Sequence, residues 1–191
     1  MKRTFDIVFA LIGIAATHWI IGIAWLAATI DTRMNGFFTQ TRAGRDGRPF
    51  RIIKIRTMRR LPGRVMTVTA SDDPRITKLG RFFRKTKIDE LPQLFNVLVG
   101  HMSFVGPRPD VPEYAASLTG GDRIILSVRP GLTGPATLKY RNEEALLAEQ
   151  QDPQRYNDEV IYPEKVKLNR AYVENYSFSK DLKYIWQTVF G

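Results

Sequence analysis

The sequence contains no cysteine and only two histidines, His18 and His101. The absence of cysteine excludes disulfide bonds, thiolate metal sites and cysteine nucleophiles, and it fits a reducing compartment. The scarcity of histidine argues against a two-histidine metal site and against a histidine-based triad. Any chemistry that the chain performs must therefore depend on carboxylates, lysine, arginine or hydroxyl groups.

Permanent charge is absent from residues 7–30, which contain no aspartate, glutamate, lysine or arginine. The segment is long enough to cross a bilayer, because a spanning helix needs about 20 apolar residues. It is longer than the apolar region of a secretory signal, which covers roughly 7–15 residues, and no cleavage site is apparent before Asp31. The sequence therefore predicts a membrane segment that is retained.

Positive charge flanks this segment on both sides. Residues 1–70 carry twelve basic and three acidic side chains, so most of the net charge of +10 lies near the segment. Basic residues favour the cytoplasmic side, and each gains about 1 kcal/mol beside anionic lipids. A helix that enters the bilayer, bends and returns keeps both flanks at the inner leaflet, whereas a signal anchor leaves Lys2 and Arg3 outside. The charges alone leave both topologies open.

A bend in the segment needs a local cause, such as a glycine or a hydroxyl group that bonds an earlier carbonyl group. Gly13, Thr17 and Gly22 are candidates, and we expect the Thr17 hydroxyl to bond the carbonyl group of Gly13. His18 is costly in hydrocarbon when it is charged, and Trp19 prefers the membrane interface. We therefore place the predicted bend at Thr17, His18 and Trp19.

Beyond the membrane segment, β-forming residues on both sides of Asp46-Gly47 predict an antiparallel hairpin over residues 36–58. The following stretch, 58–73, lacks periodicity and is predicted to be an exposed loop. A helix is predicted from Asp72-Asp73, with Pro74 in its first turn. Four residues form its apolar face: Ile76, Leu79, Phe82 and Phe83. The rest of its surface is cationic, which suits a membrane surface.

A second helix is predicted to start at Asp89-Glu90, with Pro92 in its first turn. Its inward-facing residues would be Leu91, Leu94, Phe95 and Leu98. Asp89 near the helix start has a simple explanation as a cap, since aspartate is among the preferred N-cap residues. The cations around the acidic pair favour a second explanation, in which Asp89 and Glu90 form part of a site.

Arg108 is the most constrained of these cations, because Pro107 and Pro109 restrict the backbone on both sides of it. Other cations flank the acidic pair in the sequence: Arg84, Lys85, Lys87, Arg129 and Arg141. Clustered arginine with two carboxylates suits an anionic substrate bridged by Mg²⁺, which usually takes one or two carboxylates together with substrate phosphates. For each arginine taken alone, a solvated surface charge is the alternative.

The last predicted helix lies within residues 180–190. One stripe of this helix is apolar: Leu182, Ile185, Trp186 and Val189. Lys180 and Lys183 lie off the stripe, so the helix suits the interface of a membrane. A terminal helix that packs on the core would show the same pattern, and the sequence leaves both open.

Five stretches of the chain resemble, in order, the bacterial sugar transferase family of small monotopic phosphoglycosyl transferases. They are FDIVFALIG, FFTQTRAGRDGRPFRIIKIRTM, RITKLGRFFRKTKIDELPQLFNVLVGHMSFVGPRP, SVRPGLTGPATLKYRN and YVENYSFSKDLKYIWQT. With the elements predicted above, the resemblance implies a mostly helical α+β fold with a re-entrant membrane helix over 1–35. A cytoplasmic, membrane-associated catalytic domain would follow over 36–191, with amphipathic interfacial helices and a small β-hairpin.

The resemblance also implies an activity at the cytoplasmic face of the bacterial inner membrane, among anionic lipids. Such enzymes transfer a sugar-1-phosphate from a UDP-sugar to a polyprenyl phosphate and release UMP. By similarity, Asp89 attacks the sugar-bearing phosphate and Glu90 helps to hold Mg²⁺. Four arginines would contact phosphates: Arg56, Arg84, Arg108 and Arg141. A helix N-terminus at Asp89 would favour its carboxylate as the anion and attract phosphate.

One feature departs from the family pattern, and one competing function is open. Family members commonly carry a Ser-Pro pair that breaks the membrane helix, and His18-Trp19 stand at the aligned positions. The competing function is a membrane-anchored nucleic-acid-binding or structural protein, suggested by the pI near 10. No groove-reading helix or aromatic stacking sheet is indicated, so no nucleic-acid partner is expected. No motif identifies the sugar.

Overall fold

The computed structural model describes residues 1–60 and 69–191. Its α-helices are α1 (Lys2–Thr32), α2 (Lys78–Thr86), α3 (Gln93–Val99), α4 (Pro112–Ser117), α5 (Pro135–Lys139), α6 (Glu143–Ala148), α7 (Pro153–Tyr156), α8 (Tyr162–Glu174) and α9 (Phe178–Phe190). Its strands are β1 (Phe37–Ala43), β2 (Pro49–Ile55), β3 (Ser103–Val105) and β4 (Gly131–Thr133). Short 3₁₀ helices cover Arg45–Gly47, Ile88–Glu90 and Gly120–Ser127, and a π-helical turn covers Asn157–Ile161. The described fold is mostly helical with two small sheets, as predicted.

Strands β1 and β2 form the predicted hairpin. They pair antiparallel, and Ala43 lies opposite Pro49 at the closed end. Asp46 and Gly47 in the turn have φ angles of 57° and 73°, a left-handed conformation that aspartate tolerates and glycine adopts without strain. The turn residues Asp46 and Gly47 therefore predicted the position of the hairpin correctly.

The second sheet was not predicted. Strands β3 and β4 pair in parallel, with Ser103 opposite Gly131 and Val105 opposite Thr133. Each strand has three residues, which is too short for an alternating pattern to be recognised in the sequence. The sheet matters for the site because β3 leads directly to the Pro107–Pro109 turn.

The apolar segment forms the long helix α1, which packs on the rest of the fold through one of its sides. Its first half joins a buried cluster made of Ala10, Phe50, Ile52, Val97 and Met102. Its second half joins another, made of Ile21, Ala24, Ala28, Ile55 and Phe83. Its other side is open, and Ile12, Ile23 and Ile30 are each more than half exposed. By length and composition the helix could cross a membrane.

The predicted bend region shows one of the expected contacts. Thr17 Oγ1 donates to the carbonyl group of Gly13 at 2.7 Å, and His18 Nδ1 lies 2.8 Å from the carbonyl oxygen of Ala15. Helix α1 is continuous through these residues and through Trp19. The re-entrant course of the segment stays a prediction.

The predicted start of the next helix at Asp72-Asp73 is wrong, because α2 begins at Lys78. Asp73 accepts a hydrogen bond from the backbone N–H of Arg75 at 2.9 Å, and this local turn competes with a helix start. Thr77 caps the helix instead, accepting from the N–H of Gly80 at 2.8 Å. Residues 61–68 of the predicted loop lie outside the described residues.

The inward-facing prediction for Phe95 is wrong, and the predicted apolar face of α2 is divided between an exposed Phe82 and a buried Phe83. Phe82 is 53% exposed and Phe95 is 39% exposed, although their neighbours Phe83 and Leu94 are buried. A step of one residue turns a side chain by about 100° around a helix, so each ring lies well away from its buried neighbour. The other members of the two predicted faces are buried or half-buried: Ile76, Leu79, Leu91 and Leu98.

Helix α9 leaves most of its apolar stripe open. Trp186 and Val189 are each 64% exposed, and Leu182 is 45% exposed. Its one fully buried residue is Asp181. This exposure supports the interfacial hypothesis over core packing, and seating in a membrane stays a prediction.

Candidate active site

The acidic pair lies in the 3₁₀ helix Ile88–Glu90, between α2 and α3. Lys87, directly before it, has a φ angle of 58°, which turns the chain sharply after α2. Helix α3 begins at Gln93, with Pro92 in the N-cap position and no side-chain cap. The predicted helix start at Asp89-Glu90 is therefore misplaced, and the alternative explanation of Asp89 as a helix cap does not hold for α3.

Asp89 is a buried carboxyl group that lacks full hydrogen bonding. It is 7% exposed, and within the described ranges its Oδ1 atom is buried without a hydrogen-bond partner. Burial raises the pKa of Asp89 to about 6; Glu90 adds to the increase, and the charge of Lys54 opposes it. The expectation that a helix N-terminus favours the Asp89 anion is thus wrong, because desolvation dominates.

Glu90 lies in a different electrostatic environment. Its Oε1 atom accepts a hydrogen bond from Lys54 Nζ at 2.9 Å and another from Arg108 Nη2 at 2.6 Å. Burial alone would raise the pKa of Glu90, but the charges and hydrogen bonds of Arg108 and Lys54 hold it well below its ordinary value. Glu90 is therefore ionised at neutral pH.

Lys54 is a site residue that the sequence prediction missed. It lies on β2, two residues after Ile52 and four after Phe50, and both of these are buried. Side chains two residues apart share one face of a strand, so this alternation was a signal that Lys54 points inward. Burial lowers the pKa of Lys54, and the nearby Glu90 carboxylate opposes that change.

Arg108 lies between its two prolines directly after β3, as the sequence indicated. Its side chain keeps 38% of its surface exposed, so it can reach a ligand while it binds Glu90. The Glu90 carboxylate raises the pKa of Arg108, more than burial lowers it. Behind the turn, Arg42 Nη1 donates to the carbonyl group of Pro109 at 3.2 Å.

Arg84 also lies near the acidic pair. Its charge is among those that lower the pKa of Asp89. Its Nε atom donates to Thr57 Oγ1 at 3.0 Å, and its Nη1 atom donates to Glu144 at 2.5 Å. The structure thus brings Arg84 and Arg108 together with the two carboxylates.

The other two predicted arginines donate to backbone carbonyl groups. Arg56 donates to the carbonyl group of Asn35 at 2.7 Å. Arg141 donates to the carbonyl groups of Gln187 at 2.9 Å and Gly191 at 2.6 Å. The phosphate-binding role of all four arginines stays a prediction.

The acidic pair fits a magnesium ion that shares its coordination with a substrate. No group of three or more histidine, aspartate or glutamate side chains suited to a metal ion occurs in the part of the chain that the structure describes. Mg²⁺ is usually held by one or two carboxylates plus substrate phosphates and water. Asp89 Oδ1 has no partner among the described residues, and both hydrogen bonds to Glu90 end on Oε1. Carboxylate oxygens of both residues therefore remain for such an ion.

The arrangement suits nucleophilic transfer of an anionic group. A desolvated carboxylate with an unbonded oxygen can attack phosphorus. Lysine and arginine beside it offset the repulsion between that carboxylate and an anionic substrate. Together these features suit a site for phosphoryl-group transfer.

Comparison with known proteins gives the family. The sequence model of the bacterial sugar transferase family matches residues 1–191, and the chain belongs to this family. The chain is 34% identical over 195 residues to the UDP-glucose:undecaprenyl-phosphate glucose-1-phosphate transferase of Escherichia coli K12, an alignment that covers 100% of this chain and 39% of that protein. It therefore spans about two fifths of the length of that relative.

Two further relatives match over more of their own length. The protein of the same name in Caulobacter vibrioides is 34% identical over 200 residues, covering 98% of this chain and 68% of that protein. The uncharacterized sugar transferase EpsL of Bacillus subtilis is 36% identical over 192 residues, covering 99% of this chain and 85% of that protein. These alignments thus include the apolar N-terminal segment and the acidic pair.

Proposed function

We propose that the protein is a phosphoglycosyl transferase that moves a sugar-1-phosphate from a UDP-sugar to polyprenyl (undecaprenyl) phosphate and releases UMP. This would be the first membrane step in the synthesis of a glycoconjugate. The observation that carries the proposal is the desolvated Asp89 carboxylate, with an unbonded oxygen in the described structure, beside a Glu90 that two cations hold ionised. The names of the relatives, which specify UDP-glucose and undecaprenyl phosphate, support both substrates.

The reaction divides at Asp89 into two displacements. In the first, an Asp89 oxygen forms a bond to the phosphorus that bears the sugar, and the bond from that phosphorus to the bridging oxygen breaks. UMP leaves with the electron pair. In the second, an oxygen of polyprenyl phosphate attacks the same phosphorus, and the Asp89 carboxylate leaves. One difficult transfer thus becomes two easier ones.

The cations around the pair bind and orient phosphate. Lys54 and Arg108 both contact Glu90, and the exposed part of Arg108 offers further donors to a phosphate oxygen. Arg84, whose charge acts on Asp89, would contribute a further cation. Arg56 and Arg141 would need to exchange their carbonyl partners for substrate oxygens.

Mg²⁺ is the proposed cofactor, held by Glu90 with an oxygen of Asp89. When bound, the ion neutralises part of the charge on the substrate phosphates. The protein contributes a fixed Glu90 carboxylate, because Lys54 and Arg108 determine its orientation. Removal of Mg²⁺ with a chelator should therefore stop UMP release while the protein stays folded.

The proposed location is the cytoplasmic face of the inner membrane, with α1 re-entrant and cations near anionic lipids. Both ends of α1 contact the same folded body: Lys2 Nζ donates to the carbonyl group of Val105 at 2.9 Å, and Arg59 Nη2 donates to that of Asp31 at 2.8 Å. Because the chain has no cysteine, a cysteine added beside Lys2 can be labelled alone. An impermeant reagent should leave it unlabelled in intact cells, and labelling from outside would establish a spanning helix.

The experiment that tests the activity is UMP release by the purified, membrane-reconstituted protein. It receives a panel of UDP-sugars with Mg²⁺ and polyprenyl phosphate. We expect UMP from at least one sugar and sustained turnover only with the lipid acceptor. A folded protein that releases no UMP across the panel would favour the competing hypothesis of a basic membrane-anchored structural or nucleic-acid-binding protein.

A further inference from the structure

The first two turns of α1 hold strand β3 through three hydrogen bonds. Asp6 Oδ1 accepts from Ser103 Oγ at 3.0 Å and from the backbone N–H of Phe104 at 3.1 Å. Lys2 Nζ donates to the carbonyl group of Val105 at 2.9 Å. Each of the three residues of β3 is therefore fixed by a charged side chain of the membrane helix.

The buried position of Asp6 indicates that its bonds to β3 have a specific use. Asp6 is 2% exposed, and burying a polar side chain costs free energy that its hydrogen bonds offset. Other charged side chains also attach this end of the helix to the fold. Lys2 also forms an ion pair with Asp181, and Arg3 donates to the carbonyl groups of Val97 at 2.6 Å and Leu98 at 2.8 Å. Both donors to Asp6 lie on β3, so the strand is what Asp6 fixes.

A stiff connection leads from β3 to Arg108. The Gly106 N–H donates to the carbonyl group of Thr133 at 2.9 Å, and the Gly131 N–H donates to that of Pro107 at 2.8 Å. The two glycine backbones approach so closely that a Cβ atom on Gly131 would lie 2.1 Å from Gly106 N. A shift of β3 would therefore move the turn that carries Arg108.

We propose that Asp6 is a positioning residue for Arg108. By fixing β3, it places the Arg108 guanidinium where it meets Glu90 Oε1 at 2.6 Å and can bind a substrate phosphate. The membrane helix is thereby part of the framework of the active site as well as an anchor. The inference rests on the proposed function, because the phosphate-binding role of Arg108 belongs to that proposal.

Two substitutions at one position separate the hydrogen bonds from the bulk of the side chain. Asp6→Asn keeps an oxygen that can accept from both donors on β3, whereas Asp6→Leu removes the acceptor at similar size. We expect kcat of Asp6→Leu to fall about tenfold or more and that of Asp6→Asn to stay within about threefold of the wild type. Thr32→Val is the matched control, because Thr32 is also buried on α1 but donates to Ala28 of its own helix at 2.7 Å.

A double variant tests whether Asp6 acts through Arg108. If it does, Asp6→Leu should cost nothing further in an Arg108→Gln background, because residues that act as a unit have non-additive effects. A merely structural Asp6 would lower activity by the same factor in both backgrounds. Should Asp6→Leu fail to fold, Ser103→Ala removes one donor and leaves Asp6 in place, and the same non-additivity is expected at a smaller amplitude.

Amide hydrogen exchange at Phe104 and Gly106 gives a readout that needs no substrate. Exchange at both amides should be faster in Asp6→Leu and unchanged in Thr32→Val. If the wild type releases no UMP, the proposed function fails while the exchange data still test the contact. Asp6→Leu with wild-type kcat, multiplicative losses in the double variant, or unchanged exchange at Phe104 and Gly106 would each overturn the positioning role.

Discussion

Asp89 and Glu90 are neighbours in the sequence, yet the fold places their carboxyl groups in opposite environments. Asp89 is desolvated, with its Oδ1 unbonded in the described structure, and burial raises its pKa to about 6. Glu90 is half-buried, with 17% of its side chain exposed, and Arg108 and Lys54 hold its pKa well below its ordinary value. These different environments are what the proposed function requires of the two residues, with Asp89 as the reactive anion and Glu90 as an ionised group fixed by two cations.

The residues that surround each carboxyl group explain why the pKa values of Asp89 and Glu90 shift in opposite directions. The two cations on Glu90 come from separate parts of the chain, Lys54 from the hairpin and Arg108 from the turn after β3. The turn that carries Asp89 packs its Ile88 and Leu91 against the second buried cluster of α1. The environment of each carboxyl group is therefore a product of tertiary packing, and substitutions at the two positions should have different effects.

The largest expected effect is on turnover in Asp89→Asn. An amide is no nucleophile toward phosphorus, so kcat for UMP release should fall by about 10³-fold or more, while circular dichroism should stay unchanged. The measurement is steady-state UMP release with Mg²⁺ and polyprenyl phosphate. Activity of Asp89→Asn within tenfold of the wild type would show that Asp89 is not the nucleophile, and the proposed difference in role between the two carboxylates would fall.

Glu90→Gln should have a smaller effect, centred on the metal ion. An amide is a poorer ligand for Mg²⁺ than a carboxylate, and the change also leaves Lys54 and Arg108 without their counter-charge. The Mg²⁺ concentration for half-maximal activity should rise about 10–100-fold. Glu149→Gln, at an exposed position, is the control. An unchanged Mg²⁺ requirement in Glu90→Gln would show that Glu90 does not hold the ion.

The pH dependence of the first displacement should follow Asp89. Its pKa of about 6 means that the reactive carboxylate is largely present at pH 7 and is reduced to roughly a tenth at pH 5. The rate of lipid-free UMP release should thus fall about tenfold between pH 7 and pH 5. A rate that is constant between pH 5 and 7 would assign the reaction to a group with an ordinary carboxyl pKa.

The smallest expected effect is a gain in stability in Asp89→Asn. A folded-state pKa raised from 3.8 to about 6 means that the native state loses stability as pH rises through this window. The loss at pH 7 is at most about 3 kcal/mol. Asp89→Asn should therefore unfold a few degrees higher than the wild type at pH 7. The difference should shrink at pH 4, and a lower melting temperature at pH 7 would contradict the desolvation of Asp89.

Two features set by short-range signals were predicted correctly from the sequence. The hairpin followed from β-forming residues around Asp46-Gly47, and the Thr17 hydroxyl bonds the carbonyl group of Gly13 as expected. The start of α2 was misplaced because Asp73 and Arg75 form a competing turn, whose strength the sequence does not reveal. Strands β3 and β4 were missed because their pairing is long-range and each is only three residues long.

The candidate site also divides into residues that the local sequence indicated and properties that depend on long-range packing. Asp89, Glu90 and Arg108 stood out through their spacing, their flanking prolines and a family resemblance. Lys54 was available from the alternation on β2 but was overlooked among many cations. The desolvation of Asp89 could not be predicted, because the turn that carries it packs through Ile88 and Leu91 on residues that lie far away in the sequence.

The most direct test of Asp89 as the nucleophile is the intact mass of the protein after incubation with UDP-sugar and Mg²⁺ in the absence of lipid. The wild type should release at most one UMP per chain and gain the mass of one phospho-sugar, and peptide mapping should place it on Asp89. Asp89→Asn should show no adduct, whereas Glu90→Gln should still form it at high Mg²⁺. An adduct of unchanged yield in Asp89→Asn would contradict the assignment.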